Sequence, residues 1–274
     1  MVIPTFNEAE TIDEVLRRVR AALPDAEVLV VDDDSPDGTA DLVERAGREL
    51  GGVHVLRRGG RPGFGAAYRA GFAWGMDRGA RVLVQMDADL SHDPTALPTL
   101  VGALDGCDMV VGSRYVPGGS VPRWGLHRRL LSRGGNIYSA LALGVAVRDM
   151  TSGYRVHRAE TLRSIDLETV RADGYGFQIE VLYRAAQKGA RIREVPICFV
   201  DRELGRSKMS GRIVAEALGL VTWWGAARVW AAARDRVPAR GPSAVATNRR
   251  STARRADPPL AGDPRRTPPA DPAP

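Results

Sequence analysis

Two aspartates separated by a single residue follow a short apolar run. Asp87 and Asp89 come directly after residues 82–86, Val-Leu-Val-Gln-Met, which are typical of a buried strand. Carboxylates that leave a sheet at its edge need a compensating partner, and a divalent cation with oxygen ligands supplies one. We therefore predict a site for Mg²⁺ or Mn²⁺ that bridges a diphosphate. The alternative is that Asp89 only caps the next helix, because an isolated Asp-x-Asp is common.

A second acidic segment follows the apolar run at residues 28–31 in the same way. Residues 32–37, Asp-Asp-Asp-Ser-Pro-Asp, contain four acids, which cannot all be ionised and buried. Most must therefore face solvent or hydrogen-bond donors such as the base and ribose of a nucleotide. Pro36, Asp37 and Gly38 are equally typical of a solvated turn before a helix, and both interpretations can hold together.

The opening strand ends at a third candidate segment, Pro-Thr-Phe-Asn-Glu at residues 4–8. Phe6 could stack on a nucleobase, and Glu8 could accept hydrogen bonds from the base edge. A core position for Phe6 and a first-turn helix position for Glu8 are the alternatives. All three segments lie at carboxyl ends of strands, where open α/β sheets bind their ligands.

Basic residues in glycine-rich loops could bind the phosphates of such a ligand. Arg114, Arg202 and Lys208 follow strands or strand-like segments. Transfer from a diphosphate leaves negative charge on the departing nucleotide, and a metal with fixed Arg and Lys donors stabilises that charge. Taken singly, each residue could instead be a solvated loop charge or pair with a surface acid. Their shared loop environment favours anion binding.

The elements that must position these residues alternate between strands and helices. Buried parallel strands are predicted from the apolar runs at residues 28–31, 53–56, 82–86 and 109–111. The fold class is therefore α/β, a doubly wound, mostly parallel, Rossmann-like sheet over about residues 1–115.

Helical spacing and start signals predict the intervening helices. The first is expected to begin at a capping box of Asn7 and Glu10, and the next three begin at Asp37 or Thr39, at Gly65 and at Pro94. Further along, residues 126–143 and 176–188 are predicted as helices and residues 191–200 as a strand.

A C-terminal amphipathic helix is predicted at residues 209–234. Its segment 213–233 carries only Glu216 and Arg228 as charges and includes three of the five tryptophans. Glycine, threonine and alanine make it only mildly apolar, so a helix at a membrane surface is favoured over a membrane-spanning one. Packing against the core of the domain is an equally weighted alternative.

Composition limits the class of protein. The formal charge is +6, but residues 235–274 contain eight Arg and four Asp, which leaves residues 1–234 with 31 basic and 29 acidic side chains. This balance argues against nucleic acid as a partner. Residues 235–274 also hold nine of the 18 prolines, which predicts a disordered Pro/Arg-rich tail. Two cysteines exclude a disulfide scaffold, and the start shows no secretory signal, so a cytoplasmic location is expected.

The order and spacing of the three strand-end segments resemble those of family 2 glycosyltransferases with the GT-A fold. The segments are residues 4–8, residues 31–39 and Asp-Ala-Asp-Leu-Ser-His-Asp-Pro at residues 87–94. The chain is also similar to the polyprenyl (dolichyl) phosphate mannose synthases in later segments, at residues 112–119, 132–136, 151–155 and 205–210. The resemblance covers residues 2 to about 232.

The resemblance implies roles for individual residues. It places the nucleotide sugar against Pro4, Phe6, Glu8, Val31, Asp32, Asp33, Asp87, Ala88, Asp89, Arg114, Arg202 and Lys208. Of these, Asp89, Arg114, Arg202 and Lys208 would be catalytic. Asp87, Asp89 and Ser91 would hold the metal, although Ser91 stands where many relatives place a longer Gln ligand. Arg133 and Ser207 would bind the acceptor phosphate.

The activity that the resemblance implies is inverting transfer of mannose from GDP-mannose to a polyprenyl phosphate. A phosphate monoester is already nucleophilic at neutral pH, so no general base is required. Asp93 and Glu180 are candidate bases if the acceptor is a sugar hydroxyl. The implied domain covers residues 1–234, with a nucleotide-binding half (about 1–115), an acceptor half (about 116–208) and the interfacial helix.

The implied location is peripheral, at the cytoplasmic face of a membrane, and a separate membrane-anchoring protein is a further candidate partner. Three alternatives remain for the activity. The same fold could transfer glucose or N-acetylglucosamine from a UDP-sugar. A sugar nucleotidyltransferase would normally carry a Gly-rich basic loop where residues 4–8 stand. A catalytically silent, membrane-associated binding module is supported only by Ser91.

Overall fold

Seven strands form one mostly parallel sheet in the part of the chain that the structure describes. The computed structural model describes residues 1–59, 63–201 and 211–235. The strands are β1 (Val2–Thr5), β2 (Val28–Asp32), β3 (Val53–Arg57), β4 (Val82–Gln85), β5 (Met109–Ser113), β6 (Arg155–Arg158) and β7 (Ile192–Pro196). They lie in the order β3-β2-β1-β4-β6-β5-β7, and β6 runs antiparallel to both of its neighbours. The predicted α/β fold class is confirmed.

Helices cover both faces of this sheet. They are α1 (Ile12–Ala22), α2 (Thr39–Leu50), α3 (Phe64–Asp77), α4 (Leu97–Gly102), α5 (Leu126–Leu143), α6 (Ala159–Ser164), α7 (Gly174–Gln187) and α8 (Gly211–Asp235), with short 3₁₀ turns at Pro94–Ala96 and Leu167–Thr169. Ile3 packs in a core cluster with α1, α2 and α4, whereas its neighbour Val2 packs in a second cluster with α3, α6, α7 and α8. Successive strand residues point to opposite faces, so a strand such as β1 contributes to both cores.

The predicted capping box at Asn7 does not form, and α1 begins at Ile12. Asn7 has a φ of 56°, and its backbone N–H donates to Ser35 Oγ at 3.0 Å. The next two backbone amides donate to the side chains of residues 39 and 37. Amides that a capping box would satisfy locally are instead bound by the loop after β2. This contact joins the first two strand ends.

The sequence pattern did not predict β6. Its residues Arg-Val-His-Arg are mostly polar, yet Arg155, Val156 and His157 are fully buried between β4 and β5. Arg155 donates from Nη1 to the carbonyl of Gln178 at 2.6 Å and from Nη2 to that of Met150 at 2.7 Å. These acceptors compensate for the loss of water around the guanidinium. Burial still lowers the pKa of Arg155 to about 9.

Helices α5 and α8 contact each other and expose large apolar side chains. Tyr138 Oη lies 2.7 Å from Thr222 Oγ1, and Arg228 Nε donates to the carbonyl of Ala142 at 3.3 Å. Helix α8 also packs on the core through Val221, as the alternative interpretation of this helix predicted. The α5–α8 apolar surface consists of Leu126, Leu130, Leu131, Ile137, Tyr138, Leu141, Trp223, Val229 and Trp230. Among the described residues, no helix is long and apolar enough to cross a membrane.

Candidate active site

A cavity of about 600 Å³ lies at the carboxyl ends of β1, β2 and β4. Residues 151–153, the start of α7 and residues 199 and 201 complete its wall. The residues that line it include eight that were predicted to bind the nucleotide sugar, namely Pro4, Phe6, Glu8, Asp33, Asp87, Ala88, Asp89 and Arg114. The fold thus brings together three segments that are up to 85 positions apart in the sequence.

Val31 and Asp32 differ from the prediction, because neither lines the cavity. Val31 is fully buried in the core. Asp32 Oδ2 accepts hydrogen bonds from Thr5 Oγ1 at 2.8 Å and from Ser35 Oγ at 2.6 Å, and its Oδ1 accepts from the Ser35 amide at 2.9 Å. This carboxylate organises the strand ends. Of these two adjacent acids, only Asp33 lines the cavity.

Asp33 connects the end of β2 to the start of α3. Its Oδ1 accepts from Arg58 Nη1 at 2.6 Å, and its Oδ2 accepts from the backbone N–H of Gly63 at 2.9 Å. Burial raises the pKa of Asp33, although the Gly63 amide and the Arg58 guanidinium oppose the shift. Asp33 lines the cavity together with Phe6 and Glu8, and its carboxylate can accept hydrogen bonds from a base or a ribose.

The two aspartates after β4 both line the cavity, but Ser91 does not. Tyr68 Oη lies 3.4 Å from Asp87 Oδ1, and the buried Tyr68 has its pKa raised well above the usual value by burial and by Asp87. Asp89 Oδ1 accepts from the amide and from the hydroxyl of Ser91, at 3.1 Å and 2.5 Å. The Ser91 hydroxyl thus orients the Asp89 carboxylate, and a direct contact of Ser91 with a metal stays a prediction.

The carboxylates of Asp87 and Asp89 fit a divalent cation whose other ligands come from the substrate and from water. No group of three or more His, Cys, Asp and Glu side chains converges on a metal position in the described ranges. Asp87 and Asp89 supply carboxylate oxygens, which Mg²⁺ and Mn²⁺ accept as ligands. The remaining coordination positions would come from diphosphate oxygens and water.

Arg114 is held by an acid that the sequence did not identify. Its Nε and Nη2 donate to Asp149 Oδ2 and Oδ1 at 2.8 Å and 2.6 Å, and Nη2 also donates to Thr151 Oγ1 at 2.7 Å. Within the described part of the chain, these bonds leave Nη1 as the guanidinium nitrogen available to a ligand. Arg114 lines the cavity. Its guanidinium is therefore a donor with a fixed orientation, whereas the sequence predicted only a basic residue in a glycine-rich loop.

A second arginine, Arg128, lies in the cavity wall, and no sequence pattern identified it. Arg128 donates from Nη1 to both carboxylate oxygens of Asp201, at 2.9 Å and 2.8 Å, and its guanidinium lies 4.1 Å from the centre of the Trp124 ring. All three residues line the cavity. Arg133, predicted to bind the acceptor phosphate, is exposed and does not line it. Of these two arginines in α5, only Arg128 lies in the wall of the cavity.

The other predicted anion-binding residues, Arg202, Ser207 and Lys208, lie outside the described residues. The same holds for the predicted tail from residue 236 onward.

His92 is buried and lines the cavity. Its ring stacks on Tyr154 with 4.9 Å between centroids and meets the ring of Phe199 edge-on. The backbone N–H of Asp87 donates to His92 Nδ1 at 3.4 Å. Burial lowers the pKa of His92 to about 4, so the ring is neutral at physiological pH and can accept that hydrogen bond.

The sequence model of glycosyl transferase family 2 matches residues 1–165 of this chain. The chain belongs to glycosyl transferase family 2. The matched segment includes the three strand ends that form the cavity and both aspartates after β4. The resemblance noted from the motifs is thus confirmed for this glycosyltransferase.

Several curated proteins are similar to this glycosyltransferase over most of its length. Undecaprenyl-phosphate mannosyltransferase of Micrococcus luteus is 51% identical over 86% of this chain and 97% of its own. Polyprenol monophosphomannose synthase of Mycolicibacterium smegmatis is 50% identical over 82% of this chain and 86% of its own. Dolichol-phosphate mannosyltransferase of Pyrococcus furiosus is 35% identical over 80% of this chain and 61% of its own.

Solved structures confirm the fold of this family member. Glucosyl-3-phosphoglycerate synthase from Mycobacterium tuberculosis, in complex with Mn²⁺ and UDP-glucose, matches with a TM-score of 0.63 at 22% identity and covers 82% of this chain and 78% of its own. The same enzyme in complex with UDP matches with a TM-score of 0.62 at 23% identity, over 82% and 79% of the two chains. At this identity the likeness supports a GT-A-like fold.

Proposed function

We propose that this glycosyltransferase transfers mannose from GDP-mannose to a polyprenyl phosphate, with inversion at the anomeric carbon. The observation that carries the proposal is 51% and 50% identity to two proteins named for mannose transfer to undecaprenyl phosphate and for polyprenol phosphomannose synthesis. The products would be polyprenyl-phosphate mannose and GDP.

The nucleotide would bind at the end of the cavity formed by Phe6, Glu8 and Asp33. Phe6 offers an aromatic face for stacking on the base. The carboxylates of Glu8 and Asp33 accept hydrogen bonds, and guanine presents adjacent N–H and amino donors where uracil presents one N–H. This chemistry supports GDP over UDP as the nucleotide.

Asp87 and Asp89 would hold Mg²⁺ or Mn²⁺ against the donor diphosphate. When bound, the ion supplies positive charge where the departing GDP becomes more negative. Ser91 supports this role indirectly, since two hydrogen bonds from Ser91 fix the Asp89 carboxylate. A carboxylate that is already oriented loses less conformational entropy when it binds a ligand.

The acceptor phosphate would approach past Arg114 and Arg128. One phosphate oxygen forms the new bond to the anomeric carbon while the bond from that carbon to the donor diphosphate breaks, and its electron pair leaves with GDP. Arg114 Nη1 and Arg128 would hold the acceptor and donor phosphates close together. From the resemblance, Arg202, Ser207 and Lys208 would add further phosphate contacts.

The surroundings of the candidate bases also favour a phosphate acceptor. Glu180 Oε1 accepts from Arg184 at 2.5 Å, and Oε2 accepts from the Ala172 amide at 3.2 Å. Asp93 Oδ1 accepts from the backbone N–H of Thr95 at 2.9 Å. Neither acid lines the cavity. A phosphate needs no such base, whereas a sugar hydroxyl would.

The α5–α8 apolar surface would bring the site to a lipid-linked acceptor. Trp223 and Trp230 are 68% and 76% exposed, and tryptophan is favoured at the interface between lipid and water. Arg128, in the first turns of α5, lines the cavity, so the proposed docking surface and the acceptor site share a helix. We assign the enzyme to the cytoplasmic face of a membrane, as a peripheral protein, with an anchoring protein as a further partner.

Nucleotide competition and transfer assays test the proposal. GDP should protect the protein against thermal unfolding more than UDP does, and labelled mannose should pass from GDP-mannose to polyprenyl phosphates of several lengths. If only UDP protects the protein, and sugar is transferred from UDP-glucose or UDP-N-acetylglucosamine, the donor is a UDP-sugar and the assignment of GDP-mannose is wrong. Binding without any transfer in the presence of Mg²⁺ or Mn²⁺ would identify a silent binding module.

A further inference from the structure

A buried side-chain amide in the wall of the cavity has unused hydrogen-bond donors. Gln178, in the second turn of α7, lines the cavity and is 1% exposed. Its Nε2 has no hydrogen-bond partner among the described residues. Leaving a buried N–H group unpaired costs about 1–3 kcal/mol. An unpaired amide beside a ligand cavity therefore indicates a hydrogen bond that a ligand would complete.

The orientation of this amide is set by its oxygen. Gln85 Nε2 donates to Gln178 Oε1 at 2.8 Å and to the carbonyl of Gly153 at 3.0 Å. Because Oε1 must face the Gln85 donor, the NH₂ group of Gln178 must point to the other side of the Cγ–Cδ bond, within the amide plane. The direction of the free donor thus follows from a partner in β4.

His157 in turn sets the orientation of Gln85. His157 Nε2 lies 3.1 Å from Gln85 Oε1, and this oxygen can only accept, so Nε2 carries the proton. His157 is fully buried, and burial together with Arg155 lowers its pKa to about 3, so the ring stays neutral at physiological pH. The donors and acceptors in this chain of hydrogen bonds are therefore fixed: His157 donates to Gln85, and Gln85 donates to Gln178.

The free amide and the Asp87 carboxylate both lie next to Gly153. A Cβ atom built on Gly153 would be 3.5 Å from Gln178 Nε2 and 3.4 Å from Asp87 Oδ2. All three residues line the same cavity. The absence of a side chain at residue 153 thus keeps open a polar space next to the proposed metal and diphosphate site.

We infer that Gln178, Gly153 and Asp87 form a subsite for the donor sugar, in which Gln178 Nε2 donates a hydrogen bond to a sugar hydroxyl. This inference rests on the proposed function, because it requires a nucleotide sugar whose diphosphate lies at Asp87 and Asp89. The sugar adjoins the diphosphate covalently, so it must occupy space next to these carboxylates. A hydroxyl accepts from an N–H and fits beside a glycine.

The experiment compares Gln178→Met with the wild type in binding of GDP and GDP-mannose. The variant preserves side-chain length and removes the donor. GDP affinity should stay within about twofold, whereas GDP-mannose affinity should fall about three- to tenfold, the loss expected for one hydrogen bond. Gln187→Met is the matched control, since Gln187 is exposed at the end of the same helix. It should leave both affinities unchanged.

A series of monodeoxy GDP-mannose analogues identifies the hydroxyl. One analogue should bind to the wild type about three- to tenfold more weakly than GDP-mannose does. The same analogue and GDP-mannose should bind to Gln178→Met with equal affinity, because the variant and the missing hydroxyl each remove the same hydrogen bond. Gly153→Ala should also reduce GDP-mannose affinity selectively, since the added methyl group contacts its neighbours at ordinary distances and fills the subsite.

Three other outcomes would overturn the inference. GDP and GDP-mannose affinities that fall in parallel would show that Gln178 is only structural. Unchanged affinities in Gln178→Met would show that the free amide binds water only. If the wild type binds no mannose nucleotide at all, the proposed function fails, and the sugar subsite that rests on it fails with it.

Discussion

The guanidinium group of Arg114 and the carboxylate of Asp149 form a paired contact that is almost completely shielded from water. The Nη2–Oδ1 distance is 2.6 Å, and the two side chains are 4% and 0% exposed. Burial alone would raise the pKa of Asp149, but Arg114 holds it below its usual value. The pair therefore stabilises the fold above the unfolded pKa of about 4, and this contribution is lost as the pH falls through the lowered pKa.

Asp149→Ala should lower the free energy of unfolding by about 3–5 kcal/mol, because it leaves a buried arginine without its counter-charge. Urea denaturation at pH 7 measures the loss. The double variant Arg114→Met/Asp149→Leu should recover most of the stability, yet transfer should remain low because Arg114 lines the cavity. A cost below about 1 kcal/mol for the single variant would show that the pair is not buried in solution.

Asp89→Asn should reduce mannose transfer about 100-fold or more, because an amide holds a divalent cation more weakly than a carboxylate does. The rate should be measured across a Mn²⁺ titration. Asp93→Asn is the matched control, since Asp93 only caps the turn that follows and an amide oxygen can still accept from Thr95. Equal rates in Asp89→Asn and the wild type would refute the metal role.

His157 is buried and neutral, so we expect the protein to lose stability in mild acid. The pKa of His157 is about 3 in the folded chain and about 6.5 when unfolded, so the unfolded state binds more protons between these values. Stability should therefore fall as the pH decreases below 6.5, by about 2 kcal/mol at pH 5 from this residue alone.

The contribution of His157 can be separated from those of other groups by the variant His157→Gln, whose amide can still donate to Gln85. Urea denaturation at pH 8, 6 and 5 should show a weaker decrease for the variant than for the wild type. Identical decreases in the two proteins would mean that His157 is accessible to protons in the folded state.

Replacing both Trp223 and Trp230 with serine should weaken binding to phospholipid vesicles about tenfold or more, since each exposed indole would bury apolar area in the interface. Sedimentation with vesicles measures this effect. Transfer to a short, water-soluble acceptor phosphate should persist, because neither residue lines the cavity. Trp74→Ser on α3, outside the α5–α8 apolar surface, should leave vesicle binding unchanged.

Sequence reasoning succeeded where the signal was local. The runs that form β2 and β4, the helix at residues 126–143 and the acids at strand ends each depend on neighbours along the chain. The family motifs added residues such as Phe6 and Glu8, which local chemistry alone would have assigned to a core or a helix turn. Both line the cavity.

The failures occurred where a residue depends on distant partners. Asp32 and Asp33 are adjacent acids with the same local signal, yet one organises a loop and the other lines the cavity. Asn7 was given a local capping role, but its backbone N–H donates to Ser35, 28 positions away. Arg128 carried no pattern that distinguished it from the exposed Arg133.

The sequence by itself determined the alternation of strands and helices, the edge of the sheet that carries the acids and the family of the enzyme. Only the tertiary structure decided which polar groups are paired and which are available to a ligand. The contact between Arg114 and Asp149 spans 35 positions, and that between Gln85 and Gln178 spans 93. Hydrogen bonding of buried groups is a property of their three-dimensional neighbours, and periodicity along the chain does not encode those neighbours.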